Sequence, residues 1–271
     1  MLNKIDLPSE SILGYQVINN GLQHSLKSII DWIDVGCACR VLSCLNPHSY
    51  AVSLDNSLFS DALHDSEWLI PDGAGIVYAS KLLKGGIDGR ITGSDIFIGV
   101  HRRLQLIGGK SVFFLGSSEE TLEIICQKMA TDYPDIKISG TYSPPYKTQF
   151  LENDTVKMVD AINAVKPDIL WVAMTAPKQE IWLYQNRHKL EVKFAAGIGA
   201  AFDFYAGKVN RSNPVFQKLG LEWLPRLLQE PRRLWRRMFV SAPIFLWHVL
   251  LAVLRIHFSK VFKYTSLISK G

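Results

Sequence analysis

The sequence lacks the marks of several protein classes. It has four cysteines, Cys37, Cys39, Cys44 and Cys126. They form no Cys-x-x-Cys pair and stand in apolar runs, so we predict buried reduced thiols and no disulfide framework. Residues 1–10 are polar and carry no signal-peptide core, so we expect the chain to start and stay on the cytoplasmic side. The scattered histidines form no metal-spaced cluster and no serine–histidine pair.

A dinucleotide fingerprint is also missing. Gly197 and Gly199 follow a predicted strand, but residues 200–202 are Ala-Ala-Phe, where a third glycine would be needed. Two glycines after a strand are by themselves more typical of a tight turn than of a phosphate cradle. The sequence therefore disfavours a dehydrogenase-type cofactor site, and we expect no cofactor.

What is present is a globular composition of 271 residues, 48% of them hydrophobic and 20% charged. Short apolar runs alternate with segments of helical periodicity and predict a Rossmann-like α/β fold, a parallel sheet covered by helices. The predicted strands are 15–18, 38–45, 68–70, 110–116, 136–140, 168–173 and 192–196. The predicted helices are 22–33, 50–63 (with Pro47 in its first turn), 76–83, 95–106 (with Ser94 as N-cap), 118–129, 154–165 and 178–188.

The alternation ends near Asn210, so we divide the chain into an α/β domain, 1–210, and a helical C-terminal segment, 211–271. The net charge of +5 is concentrated there, in Arg226, Arg232, Arg233, Arg236 and Arg237. Tryptophans among these arginines predict a basic amphipathic helix that lies in the lipid headgroup layer, where each arginine contributes about 1 kcal/mol on anionic lipid. Nucleic acid is a poorer partner because no recognition fold accompanies the patch.

Phe239–Leu254 is an uncharged stretch of sixteen residues. A straight membrane span needs about 20 apolar residues, so we favour an interfacial or re-entrant helix and keep a transmembrane span as the alternative. Arg255, Lys260 and Lys263 follow this stretch and favour the cytoplasmic face.

Polar groups directly follow several predicted strands. They are Asn46, Asp72, Ser117, Lys178–Glu180 and the Gly197/Gly199 turn. The carboxyl ends of parallel strands meet at one edge of the sheet, where open α/β sheets bind ligands. Asp72 is the candidate general base, and Gly73 and Gly75 allow backbone amides to approach a ligand. The alternative is that Asp72-Gly73 is simply a turn.

Several motifs resemble one enzyme family in composition and order. They are Leu45-Asn46-Pro47, Pro71-Asp72-Gly73-Ala74-Gly75, Arg90-Ile91-Thr92-Gly93, Phe114-Leu115-Gly116, Pro177-Lys178-Gln179-Glu180, Gly197-Ile198-Gly199 through Asp203, Ala206-Gly207, Arg211, Gly220 to Trp223, Arg226 and Glu230-Pro231-x-Arg233. Together they cover roughly residues 14–238 and resemble the WecG/TagA/CpsF family of bacterial glycosyltransferases.

The resemblance implies an inverting, metal-independent enzyme that moves a sugar from a UDP-sugar to a polyprenyl-diphosphate-linked acceptor. Family members act in wall teichoic acid, enterobacterial common antigen and exopolysaccharide assembly. The family's proposed base maps onto Asp72, the arginine of its Arg-x-Thr-Gly motif onto Arg90, and the asparagine of its Thr-x-Asn motif onto Asn46. Cys44 stands at the threonine of that motif and cannot offer the same hydroxyl contact.

The resulting set of predicted site residues has three parts. Asp72 and Arg90 are catalytic; Asn46, Gly73, Lys178, Gln179, Glu180, Gly197, Gly199, Asp203 and Arg211 bind substrate; Arg226, Arg232, Arg233 and Arg236 bind lipid or acceptor phosphate. Structural alternatives stay open: Arg90 as a surface arginine, Gln179 and Glu180 as a first helical turn, and Asp203 as a turn cap.

Two rival functions and the identity of the substrates also stay open. The rivals are a nucleotide-sugar epimerase or dehydrogenase and a membrane-tethered scaffold that only binds UDP-sugars. Mannosamine, mannosaminuronic acid, glucose, galactose and glucuronate are all open as the donor sugar. The acceptor sugar is equally open, and so is a homo-oligomer.

Overall fold

A computed structural model describes residues 7–209 and 235–268, with side chains up to residue 258. Its strands form two sheets. The N-terminal pair β1 (Ser9–Ile12) and β2 (Tyr15–Ile18) is an antiparallel hairpin. The main sheet contains β3 (Arg40–Leu45), β4 (Trp68–Pro71), β5 (Ser111–Gly116), β6 (Lys137–Tyr142), β7 (Ile169–Ala173) and β8 (Phe194–Gly197).

The six strands of the main sheet follow the order β4-β3-β8-β7-β5-β6, and all neighbouring strands are parallel. Strands β7 and β8 are buried along their whole length, as expected for a parallel sheet covered on both faces. The predicted helix-covered parallel sheet is therefore confirmed.

Helices connect the strands. They are α1 (Gly21–Val35), α2 (Pro47–Leu54), α3 (Ser57–Asp65), α4 (Ala74–Leu82), α5 (Gly93–Ile107), α6 (Glu119–Asp132), α7 (Glu152–Asn163), α8 (Lys178–Asn186) and α9 (Ala201–Ala206), with a short 3-10 turn at Arg187–Lys189. After the gap, a π-helical turn (Arg237–Ser241) leads into α10 (Ala242–Ile268).

Three buried clusters hold these layers together. One joins the sheet to α1, α5, α6 and α9 through residues such as Phe97 and Ile125. A second packs α7 and α8 on the opposite face through residues such as Ile162 and Leu183. The third lies at the β4 edge and joins the hairpin, α2, α3 and α4 to Phe245 and Val249 of α10. The C-terminal helix is thus packed on the α/β domain.

Three local predictions were wrong. The single helix predicted over residues 50–63 is two helices, because Asn56 accepts the backbone N–H of Phe59 and starts α3. The cap of α5 is Thr92, not Ser94, and it forms a capping box with Asp95. The third wrong prediction is that all four cysteines are buried, since Cys37 is exposed. The strand predicted at residues 15–18 is confirmed, and it pairs with β1 in the hairpin.

The predicted boundary after residue 210 and most of the predicted basic helix lie in 210–234, outside the described residues. The segment Arg237–Phe258 is long and apolar enough to cross a membrane by length and composition.

Candidate active site

The carboxyl ends of the parallel strands bring the predicted site residues to one edge of the sheet. Because β3 lies between β4 and β8, Asp72, Asn46 and the Gly197–Gly199 turn follow adjacent strands in that order. Neighbouring strands are about 4.8 Å apart, so Asp72 and the glycine turn lie roughly 10 Å apart along the edge. β7 and β5 extend the same edge towards Thr175 and Ser117.

Asp72 is held by β3 and by the loop that follows it. Its backbone N–H donates to the carbonyl of Leu45 at 2.8 Å, which continues the parallel pairing one residue beyond β4. Its side-chain Oδ2 accepts a hydrogen bond from Nδ2 of Asn46 at 3.2 Å. The side chain is partly buried, so it is shielded on one side and accessible on the other.

Asn46 is oriented by the helix it starts. As the N-cap of α2, its Oδ1 accepts the backbone N–H groups of His48 (3.0 Å) and Ser49 (2.9 Å). Since the oxygen of the amide faces the helix, its NH₂ group must face Asp72. A helix cap thus sets which group of Asn46 faces the carboxylate.

Two arginines place positive charge around Asp72. Arg90 directly precedes Ile91, whose backbone N–H donates to the carbonyl of Pro71 at 2.8 Å, so the Arg90 loop is tied to the end of β4. Arg237 comes from the π-helical turn before α10. Burial raises the pKa of Asp72, while the Asn46 hydrogen bond and the charges of Arg237 and Arg90 oppose that rise.

Cys44 lies inside the site, between Asp72 and the glycine turn. Its Sγ is 4.0 Å from the carbonyl oxygen of Gly197. Burial raises the pKa of the Cys44 thiol, and the nearby charges of Asp72 and Glu180 raise it further. The thiol is therefore neutral, and it occupies the position of the family's threonine with a larger, weaker hydrogen-bonding atom.

Gln179 is buried behind the glycine turn. Its Oε1 accepts the backbone N–H of Met174 at 3.3 Å, and a Cβ added at Gly197 would lie 3.2 Å from its side chain. Gly197 therefore allows the close approach that seats Gln179 against the turn.

Glu180 is the neighbour and hydrogen-bond partner of Gln179. Its Oε1 accepts Nε2 of Gln179 at 2.9 Å, and its Oε2 is buried without a partner among the described residues. Burial raises the pKa of Glu180 to about 7, with the Gln179 hydrogen bond opposing that rise. Glu180 is thus a buried carboxyl that titrates close to neutral pH.

A polar cleft opens at the ends of β5, β7 and β8. It is lined by Ser117, Ala173, Thr175, Gly199, Ala200, Phe202 and Asp203. Ser117 and Thr175 both adopt positive φ, +60° and +66°, which is uncommon for residues other than glycine and is often found at ligand sites. Gly199 and Asp203 of the predicted set are therefore in this cleft.

The remaining predicted residues are placed as follows. Gly73 has φ +92° with no atom within 4 Å of an added Cβ, so its conformation requires glycine. Lys178 donates to the carbonyl of Lys147 and faces the ring of Phe150, so it contacts the 143–150 loop. Arg236 is exposed. Arg211, Arg226, Arg232 and Arg233 lie outside the described residues.

Sequence reasoning missed two features of the site. Arg237 was counted only as a membrane-facing charge, although its charge acts on Asp72. Thr175 carried no signal beyond its place between a strand and Pro177. Within the described ranges, no group of three or more His, Cys, Asp or Glu side chains could hold a metal ion.

Comparison with known proteins identifies the family. The profile described as "Glycosyl transferase WecG/TagA/CpsF family" matches residues 10–258. The chain belongs to this family. The resemblance found in the motifs is thereby confirmed, and the protein is a glycosyltransferase.

Three curated relatives share the name N-acetylglucosaminyldiphosphoundecaprenol N-acetyl-beta-D-mannosaminyltransferase. The relative from Bacillus subtilis (strain 168) is 30% identical over 242 residues, 86% of this chain and 88% of the relative. The one from Bacillus spizizenii (strain ATCC 23059 / NRRL B-14472 / W23) is 33% identical over 205 residues, 76% of each chain. The one from Staphylococcus aureus (strain MW2) is 28% identical over 204 residues, 75% of this chain and 77% of the relative.

Proposed function

We propose that this glycosyltransferase moves a sugar from a UDP-sugar, with inversion and without a metal ion, to a polyprenyl-diphosphate-linked saccharide at the cytoplasmic face of the membrane. The observation that carries the proposal is the setting of Asp72. A partly buried carboxylate, oriented by Asn46 and flanked by the charges of two arginines, lies at the ligand-binding edge of the sheet.

The proposed reaction is a single in-line displacement. Asp72 takes the proton of the acceptor hydroxyl as that oxygen bonds to the anomeric carbon. The bond from the anomeric carbon to the diphosphate oxygen breaks at the same time, and UDP leaves with the electron pair. A carboxylate whose pKa is raised by burial is a stronger base than an exposed aspartate. It is also a more efficient general base, because its pKa is closer to the pH of the cytoplasm.

The donor fits along the edge of the sheet. The cleft at Ser117, Thr175 and Asp203 offers hydroxyl and carboxylate groups to a nucleoside. The Gly197–Gly199 turn then brings backbone amides to a diphosphate, and the sugar points along the edge towards Asp72. Arg90 and Arg237 supply the positive charge that stabilises the departing UDP.

The relatives' names point to one donor and one acceptor. We infer that N-acetylmannosamine is transferred to an N-acetylglucosamine carried on a polyprenyl diphosphate, as part of surface polysaccharide assembly. Cys44 is the residue that argues for another donor, since it replaces the family's threonine beside the site.

Donor and acceptor are tested together by product mass. A panel of UDP-sugars, including UDP-N-acetylmannosamine, UDP-glucose and UDP-glucuronate, is assayed with a synthetic polyprenyl-diphosphate N-acetylglucosamine, with and without EDTA. We expect one N-acetylhexosamine to be added at a rate that EDTA does not change. Addition of a hexose or a uronic acid would show that the donor is not UDP-N-acetylmannosamine. Loss of activity in EDTA would overturn the metal-free mechanism.

Replacing the proposed base is the direct test of the chemistry. We expect Asp72→Asn to lower kcat by about 10²–10⁴-fold, the usual contribution of a general base, while UDP binding stays within twofold of the native value. Asp61→Asn on α3, an exposed aspartate, is the matched control and should keep full activity. Full turnover by Asp72→Asn would exclude this residue as the base, and UDP binding without turnover in the native chain would favour the scaffold.

A further inference from the structure

We propose that Glu180 is a positioning residue for donor binding, which fixes the side-chain amide of Gln179 so that its second N–H donates to a diphosphate at the Gly197–Gly199 turn. Glu180 itself does not touch the substrate in this arrangement, in contrast to the substrate-binding role predicted from the sequence. The inference rests on the proposed function, because it needs a nucleoside diphosphate at that turn. It deepens that function by naming the side chain that joins the backbone amides there.

Neither carboxyl oxygen of Glu180 is available to a ligand. Its Oε1 already accepts Nε2 of Gln179 at 2.9 Å, and its Oε2 is buried without a partner among the residues that the structure describes. The whole residue is only 3% exposed. Burying an unpaired carboxyl oxygen is costly, and the hydrogen bond of Oε1 shows what Glu180 contributes in return, which is an acceptor for the amide of Gln179.

The side-chain amide of Gln179 has its orientation set by two partners. Its Oε1 accepts the backbone N–H of Met174 at 3.3 Å, while its Nε2 donates to Glu180. A flipped amide would place its NH₂ group against the N–H of Met174 and its oxygen against an oxygen of Glu180. Donor would then face donor, and acceptor would face acceptor. The two contacts therefore fix which end of the amide carries the hydrogens.

A carboxyl group suits this task better than an amide would. A carboxylate presents oxygen whichever way it is rotated, whereas a glutamine at the same position could turn its own NH₂ group towards Nε2 of Gln179. Burial raises the pKa of Glu180 to about 7, so near neutral pH the carboxyl carries only part of a charge beside a site for an anion. A neutral carboxyl still keeps one oxygen without a proton, so Glu180 can accept in both charge states.

One N–H of Gln179 is left without an acceptor among the described residues. Nε2 carries two hydrogens, and Glu180 accepts one of them. The nitrogen lies 3.2 Å from the position that a Cβ on Gly197 would occupy and 3.7 Å from that on Gly199. It is therefore next to both glycines of the turn, and Gly199 lines the polar cleft. A diphosphate oxygen held at the turn would supply the missing acceptor.

Binding of UDP measures the role of Glu180 directly. Isothermal titration calorimetry on the full chain gives the Kd of UDP for the native protein, Glu180→Met and Glu180→Gln. We expect Glu180→Met to raise Kd about tenfold, the value of one hydrogen bond, because the amide of Gln179 can then turn. Glu180→Gln should raise Kd less, since its amide oxygen can accept in one of two orientations. An unchanged Kd in Glu180→Met would overturn the proposal.

The matched control is Asn186→Leu, on the same helix as Glu180. Asn186 is also buried, at 4% exposed, and it donates to the carbonyl of Trp182; its replacement should leave the Kd of UDP unchanged. Urea unfolding separates positioning from a purely structural role. Glu180→Met replaces an unpaired buried carboxyl with an apolar side chain, so we expect no loss of stability while the Kd rises. A loss of stability that accompanies the loss of affinity would count as a structural role and overturn the proposal.

A double-mutant cycle tests whether Glu180 acts through Gln179. Gln179→Met removes the proposed donor and should raise the Kd of UDP about tenfold. Adding Glu180→Met to this variant should leave Kd within twofold of Gln179→Met alone, because there is no amide left to orient. A further tenfold rise would show that Glu180 acts on UDP independently of Gln179, which would overturn the positioning role.

Steady-state kinetics with the active UDP-sugar of the donor panel gives a second readout. We expect Glu180→Met to raise the donor KM about tenfold and to keep kcat within twofold, since the diphosphate is held equally in the ground and transition states. A fall in kcat at an unchanged KM would place Glu180 in the chemical step and contradict the proposal. Failure of the native chain to bind UDP would refute the proposed function itself, whereas equal Kd values for the native chain and Glu180→Met would refute this inference alone.

Discussion

At the scale of single residues, opposing influences set the basicity of Asp72. Burial raises its pKa, which makes the carboxylate a better proton acceptor, while Asn46, Arg237 and Arg90 stabilise the ionised form. The arginines therefore serve two purposes in the proposed mechanism. They keep enough of Asp72 ionised to act as a base, and they supply charge to the departing diphosphate.

Removing one of these charges should shift the pH dependence in a defined direction. In Arg90→Met, Asp72 loses a charge that lowers its pKa, so the pKa rises and the carboxylate is protonated at higher pH. We expect the acid limb of the kcat/KM profile to move to higher pH, in addition to a lower plateau. Arg102→Met, which removes an exposed arginine of α5, is the control. An acid limb that stays at the same pH in Arg90→Met would show that the charge of Arg90 does not influence the pKa of Asp72.

Glu180 leads to a prediction about stability. Its pKa is 4.5 as an unperturbed group and about 7 in the folded protein, so the folded state holds a proton that the unfolded state has released between these values. Stability therefore falls as pH rises through this window, by up to about 3 kcal/mol above pH 7. Glu180→Gln should remove that loss and be more stable than the native chain at pH 8, with little difference at pH 4.5.

Urea unfolding at the two pH values measures this effect, with the exposed Glu123→Gln on α6 as the control. A Glu180→Gln variant that is no more stable at pH 8 would mean that Glu180 is ionised without cost in the folded state. The same variant reports on catalysis separately, because Gln179 loses the carboxyl oxygen that accepts its Nε2 hydrogen bond.

The residues of the site were accessible to sequence reasoning to different degrees. Asp72 and Asn46 could be found because each directly follows an apolar strand, and parallel strands end at a common edge. Their hydrogen bond could not, since it depends on β3 and β4 being neighbours. Arg237 was beyond reach for the same reason: it lies 165 residues after Asp72 (237 − 72), and only the docking of α10 brings its charge to the site.

At the scale of secondary-structure elements, the contact between α2 and α4 controls the spacing of the two strand ends. A Cβ added at Gly75 would lie 2.5 Å from Cγ of Pro47, and the proline ring in the first turn of α2 cannot move aside. Asn46 starts α2 and Asp72 leads into α4, so separating these helices also separates the two side chains.

Gly75→Ala should therefore impair both stability and activity. We expect a loss of about 1–3 kcal/mol in stability, as is usual for overpacking, and a fall in kcat of at least tenfold as the Asn46–Asp72 hydrogen bond lengthens. Gly89→Ala is the control, because it has no atom within 4 Å of an added Cβ and no positive φ. Thermal unfolding measures the loss of stability, and initial rates measure the loss of activity. A Gly75→Ala variant that is destabilised but fully active would show that the contact between α2 and α4 does not control the distance between Asn46 and Asp72.

The elements themselves were largely predictable and their arrangement was not. Apolar runs marked the six strands of the sheet, since buried parallel strands are apolar on both faces. The break between α2 and α3 was missed because the apolar periodicity continues across it, although Asn56 is a typical N-cap. The strand order depends on long-range packing and has no local signal.

At the scale of the whole molecule, nucleotide binding should stabilise the fold. A ligand present at 100 times its Kd stabilises the folded state by about 2.7 kcal/mol. For a chain of this size that corresponds to a rise in Tm of roughly 5–10 °C. We expect UDP to give this shift and NAD to give none, as measured by differential scanning fluorimetry. A shift with NAD and none with UDP would favour the nucleotide-sugar-modifying rival.

The π-helical turn at Arg237–Ser241 has a consequence for how this chain can vary. Each residue of an α-helix advances it by 100°, so shortening the turn by one position would rotate everything beyond it by more than a quarter of a revolution. Trp247 would swing towards the domain, and His248 would leave Tyr50. The position of Arg237 beside Asp72 and the rotation of the terminal helix about its axis are thus set by the same turn. An insertion or deletion within the turn must displace one of the two in order to keep the other.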